Sequence, residues 1–214
     1  MEIKEKISAL EGEMLDKLAR LVKYNSVLGQ AEEGKPFGEG PAAVLAEGLK
    51  IAEELGFRTV NLDNYCGYAE IGEGEEIIGI AGHLDIVPVG DGWETDPFVM
   101  TRVGDKVYGR GVTDDKGPVI ASLYATKLLQ ESGKPLKRRI RVIMGCNEET
   151  GSRCMAHYNE VEEPLSWALP RTETSPAFTV KKATWACALP VNRQRSWTCT
   201  AVSFRTRSVI SALP

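Results

Sequence analysis

Apolar residues Ile3, Ile7, Leu10, Met14, Leu15, Leu18, Leu21 and Val22 recur every three or four positions with charges between them. That period predicts an amphipathic helix over residues 3–25. A second helix is predicted over 38–57, "GEGPAAVLAEGLKIAEELGF", with Gly56 placed to cap its end. The period then changes. "FRTVNLDNYCGYAEIG" reads as two short strands about an Asp-Asn turn, and "EEIIGIAGHLD" as a near-continuous apolar run, the mark of a strand covered on both faces. "FVMTRVGDKVYGRG" alternates across Gly104-Asp105 as a hairpin does. "KGPVIASLYATKLLQESG" predicts a helix with Ile120, Leu123, Tyr124 and Leu128 on one side. "RRIRVIMGCNEET" predicts another buried strand, and a short helix follows near 152–160.

Strands alternating with helices imply an α/β sandwich, with a mixed, largely parallel sheet between helices. In such sheets functional residues gather at the carboxyl ends of strands. His83 and Asp85 end one predicted strand; Asn147, Glu148 and Glu149 end another.

Composition narrows the classes. The chain has 214 residues, 43% hydrophobic and 26% charged, enough for a core without disulfides. A net charge of −4 gives no basic face for nucleic acid. No apolar run of about 18 residues predicts a membrane span. The acidic, amphipathic N-terminus is unlike a signal peptide. Five cysteines without paired spacing fit reduced thiols in a cytoplasmic protein.

Three short motifs carry chemistry. His83-Leu84-Asp85 at a strand end is either a hydrogen-bonded histidine leaving the core or a zinc ligand backed by a carboxylate. Such a carboxylate accepts the second imidazole N–H and fixes the tautomer. In "YGRGVTDDKGP" (108–118), Asp114 and Asp115 suit a turn and helix cap, or a metal-bridging carboxylate. In "NEETG" (147–151) the paired glutamates are either solvated or divided, one binding metal and its neighbour acting as general base. His157 reads as a surface helix residue, and the cysteines as packing residues without zinc-ribbon spacing.

G-H-x-D, G-R-G-x-x-D-D-K-G and N-E-E-x-G, in this order and with "GDGWETDPF" (90–98) between the first two, resemble the M20 family of zinc metallopeptidases, most closely its dipeptidase branch. The resemblance covers roughly residues 1–166. It implies a partial zinc-exopeptidase-type fold and a two-zinc site acting on a small peptide, a dipeptide. By position it implies His83 as a ligand of one zinc, Asp85 as its orienter, Asp114 as the bridge, Glu148 as general base and Glu149 as a ligand of the other zinc. Asp115 would hold the loop, Arg110 would anchor the turn, and Asn147 would support the strand end. An N-acyl-amino-acid deacylase of the same family and a non-catalytic zinc-binding fragment are the alternatives.

Beyond Trp167 the text changes. Residues 168–214 hold no glycine, seven Lys or Arg and a single acid, Glu173, whereas the other 29 acids precede them. The resemblance leads to the expectation that the family's next ligand, its lid domain and its distal histidine are missing here, which would leave each zinc one terminal ligand besides the bridge. Back-translation one nucleotide out of register gives glycine across Trp167–Ala168 and permits Phe-Thr-Pro-Asp over the next junctions, the continuation that the resemblance implies. The expectation is a frameshift near residue 166, with 1–167 as the N-terminal part of a catalytic domain and 168–214 as a non-homologous, disordered tail.

Overall fold

The computed structural model describes residues 3–170, with two further strand segments at 180–181 and 202–203. The first helix, α1 (Ile3–Val22), buries Leu15, Leu18, Leu21 and Val22, the stripe that the period predicts. It stops three residues short of the expected end. α2 (Glu39–Glu54) is closed as its sequence suggests: Gly56, at φ 90°, donates to Glu53 O at 2.9 Å and Phe57 donates to Ala52 O at 3.1 Å. These are the paired bonds of a Schellman motif, which only a residue at ease with positive φ allows.

β1 (Arg58–Leu62) and β2 (Cys66–Ile71) form the first hairpin, turning at Asp63 and Asn64, both at positive φ. β3 (Ile77–His83) follows, then the hairpin of β4 (Thr101–Val103) and β5 (Lys106–Tyr108), which turns at Gly104. α3 (Lys116–Glu131) buries Ile120, Leu123, Tyr124 and Leu128. β6 (Arg139–Gly145), α4 (Arg153–Val161), β7 (Trp167–Pro170), β8 (Val180–Lys181) and β9 (Val202–Ser203) complete the described elements. The rest of the expected tail, and its expected disorder, lies outside the described residues.

The main sheet has the order β1-β2-β6-β3-β7-β8. Its centre is parallel, β3 lying between β6 and β7, and its flanking pairs are antiparallel. Successive residues of a strand face opposite sides. A Cβ on Gly67 would meet Leu49 of α2 and one on Gly82 would meet Val119 of α3, whereas Cys66 reaches Cys154 of α4. So α2 and α3 cover one face and α4 the other, the α/β sandwich expected from the sequence. The three described cysteines, Cys66, Cys146 and Cys154, are buried and free, and burial raises all three thiol pKa values. No helix among the described residues is long and apolar enough to cross a membrane.

Candidate metal centre

The parallel pairing of β3 with β6 puts His83 level with Gly145, so the two predicted strand ends finish side by side. The Leu84 N–H donates to Gly145 O at 2.8 Å and continues that pairing past the strand. Seven-residue strands of equal extent therefore deliver H-x-D and N-E-E to one edge of the sheet.

His83 is 6% exposed, and its Nδ1 lies 3.0 Å from the Asp85 backbone carbonyl. A carbonyl only accepts, so Nδ1 carries a proton, which leaves Nε2 as the nitrogen facing Asp114. The Asp85 carboxylate stands 3.4 Å from the same Nδ1. Its oxygens accept the backbone N–H groups of Glu148 at 3.0 Å and Glu149 at 3.1 Å. Asp85 thus holds two motifs at once, orienting the imidazole and pinning the glutamate loop.

Nε2 lies 3.0 Å from Asp114 Oδ1 and 3.8 Å from Glu148 Oε2. His83, Asp114 and Glu149 each offer a donor atom within 4.8 Å of the other two. Burial lowers the imidazole pKa, but the Asp114 and Asp85 contacts outweigh it and raise the value to about 11. Burial, then the Asp114 charge, raises the Glu149 carboxyl to about 7. Acids crowded into one corner in this way are what a cation would relieve, and imidazole with carboxylates suits zinc. The donor set fits a metal.

A neighbouring carboxylate fixes the third segment. Asp115 Oδ2 accepts the His83 backbone N–H at 3.1 Å. A Cβ on Gly82 would lie 2.6 Å from that oxygen, so glycine there admits the carboxylate to the strand. Asp115 is 7% exposed, and this bond ties its loop to the end of β3.

A family profile, Peptidase family M20/M25/M40, matches residues 79–185, half of the chain, and runs across the change in composition at 168. The chain belongs to peptidase family M20/M25/M40. The Bacillus subtilis (strain 168) protein named "Putative dipeptidase YtjP" is 46% identical over 144 residues, 66% of this chain and 31% of that one. The crystal structure of human carnosine dipeptidase 1 superposes with a TM-score of 0.63 at 29% identity, covering 73% of this chain and 36% of that one. An M20 family metallo-carboxypeptidase from Sulfolobus solfataricus shares the fold at TM-score 0.59 and 24% identity, over 74% of this chain and 37% of that one. The M20/M25/M40 chain spans about a third of the length of the curated relatives it matches.

The supporting residues fall around this corner. Arg110 donates from Nη2 to Val89 O at 2.7 Å, and its guanidinium lies 5.2 Å from the Trp93 ring, which ties the "GDGWETDPF" loop to the β5–α3 turn. Asn147, 2% exposed, accepts the Arg153 N–H at 3.1 Å and donates to Thr150, which shapes the glutamate loop. His157 stays out of the group, stacked on Tyr65 and bonded to Asp63 at 3.0 Å. Sequence reading passed over Lys116. Its ammonium, fully buried, donates to Tyr24 O at 2.9 Å, and burial lowers its pKa to about 7, against the pull of Asp85. The visible signal was a lysine opening the helix directly after two aspartates.

Proposed function

We propose that this chain carries the ligand-bearing part of a zinc-dependent dipeptidase site. The observation that carries the reading is the meeting of His83, Asp114 and Glu149 donor atoms within 4.8 Å of one another. His83 would hold one zinc, Glu149 the other, and Asp114 both. Zinc, when bound, supplies Lewis acidity toward the scissile carbonyl and makes water more acidic. Glu148, half exposed with its carboxylate 3.8 Å from Nε2, stands where it can take the water's proton and return it to the leaving amine. Asp85 fixes the backbone of that glutamate and so its approach. The dipeptide as substrate is supported by the names of the Bacillus subtilis relative and of the human carnosine dipeptidase.

Residues 1–167 form, in this reading, the N-terminal part of an M20 catalytic domain acting in the cytoplasm. Among the described residues this reading gives each ion one terminal ligand and a shared bridge, and turnover by this chain is expected to be impaired. Metal content after dialysis, combined with a dipeptide hydrolysis assay with and without added zinc, tests both statements. Stoichiometric zinc with rapid turnover would overturn the impairment. Absence of any zinc retention would overturn the metal centre, and hydrolysis of N-acyl amino acids in place of dipeptides would move the substrate to the deacylases.

The composition change and the recovered Phe-Thr-Pro-Asp support a frameshift near residue 166. The nucleotide sequence through codons 160–214 decides it: one intact frame, shared by relatives that carry the same tail, would refute the frameshift.

A further inference from the structure

The segment Tyr24–Asn25–Ser26, where the chain leaves α1, carries none of the proposed ligands. It nonetheless meets both segments that His83, Asp85 and Asp114 depend on. Ser26, fully buried, donates from Oγ to Leu84 O at 2.7 Å, and its own carbonyl accepts the Ile86 N–H at 3.2 Å. The peptide groups on either side of Asp85 are thereby both tied to one residue. Asp85 in turn holds the imidazole of His83 and the N–H groups of Glu148 and Glu149.

The second tie is Lys116. Its ammonium reaches Tyr24 O at 2.9 Å, two residues before Ser26. Its stem lies along Gly111, where a Cβ would come within 2.9 Å of Lys116 Cδ, and its backbone N–H donates to Gly111 O at 3.0 Å. Asp114 and Asp115 sit between those two bonded positions, so the lysine anchors the turn that carries them. The segment is itself immobilised from behind: a Cβ on Gly40 of α2 would lie 2.1 Å from Asn25 O.

We propose that Ser26 and Lys116 are positioning residues of the metal centre, clasping the His83–Asp85 strand end and the Asp114–Asp115 turn to the single segment Tyr24–Ser26. The proposal rests on the metal-centre reading above. A buried lysine is an expensive way to fill space, since an apolar side chain of similar volume avoids its desolvation. Its cation is explained by the carbonyl that it holds.

Cobalt(II) titration of the full 214-residue chain, followed by d–d absorption, tests the clasp, with urea unfolding of the metal-free protein alongside. Lys116→Met and Ser26→Ala are each expected to weaken cobalt binding about 10- to 100-fold and to alter the d–d spectrum, as loss of groups behind metal ligands does. Lys116→Met is expected to do so while unfolding at the same or a higher urea concentration, which separates positioning from general stability. Parental affinity and spectrum in both variants would overturn the clasp while leaving the metal centre standing. A parent chain that binds no cobalt would overturn the metal centre and the clasp with it. If Ser26→Ala does not fold, Lys116→Met decides alone: unchanged binding refutes the clasp, and weakened binding by a stable variant supports it.

Discussion

The carboxylate of Asp85 accepts the backbone N–H of Glu148 at 3.0 Å across 63 residues of sequence, and that of Glu149 at 3.1 Å from its other oxygen. One buried residue therefore sets the position of both glutamates through its carboxylate and orients the His83 ring through its backbone carbonyl.

Replacing Asp85 by alanine strands two backbone N–H groups. An unsatisfied buried donor costs roughly 1–3 kcal/mol. Urea denaturation is expected to show Asp85→Ala destabilised by about 2–5 kcal/mol, with zinc affinity also reduced. A loss below about 0.5 kcal/mol, the scale of a neutral surface change, would show that these bonds do not organise the loop.

Ligand and base separate by variant. His83→Ala and Glu149→Ala are expected to abolish stoichiometric zinc, measured by metal analysis after dialysis. Glu148→Gln is expected to retain zinc and to lower whatever hydrolysis the chain supports by about 10²–10⁴-fold, the range for a lost general base. Loss of zinc in Glu148→Gln would instead make it a ligand.

Zinc uptake is expected to release protons. With the imidazole of His83 raised to about 11 and the Glu149 carboxyl to about 7, both hold a proton at pH 6 in the metal-free chain. A cation must displace them, so affinity rises with pH through neutrality. Calorimetry in two buffers of different ionisation enthalpy reads the number released. A pH-independent affinity between 6 and 8 would contradict the assignment of these residues as ligands.

Lys116 predicts a pH-dependent stability with the opposite sign from a salt bridge. Its ammonium titrates near 7 in the folded metal-free chain, chiefly because of burial, and near 10.5 when unfolded. Between those values the unfolded chain binds more protons, so this group's contribution to stability rises with pH, and its full penalty applies below 7. Lys116→Met is expected to be more stable than the parent by on the order of a few kcal/mol at pH 6, the difference closing toward pH 10. Equal stability curves would show that the lysine is well solvated or otherwise compensated.

Much of the fold was legible because burial imposes a period. The stripe Leu15, Leu18, Leu21 and Val22 and the apolar runs of β3 and β6 mark faces that must be covered, whatever covers them. Local turn chemistry was equally plain at Gly56, at Asp63-Asn64 and at Gly104, where the backbone takes positive φ. Where helix α1 ends was not legible. Residues 23–25 continue without a breaker, but the Asn25 backbone is packed against Gly40, a contact made across the fold.

The candidate site divides in the same way. Sequence alone determined which residue types stand at the strand ends and in the Gly-rich turn: His83, Asp85, Asp114, Glu148 and Glu149, in motifs ordered as in the M20 family. Tertiary structure decided that β3 and β6 run parallel and in register, so that these ends meet. It also decided that the Asp85 carboxylate serves two backbone N–H groups while its carbonyl serves the imidazole, and that Lys116 is buried against Tyr24. A one-dimensional pattern records which side chains must be hidden and which turns are possible. Hydrogen bonds between segments 60 or 90 residues apart depend on distances that only packing sets.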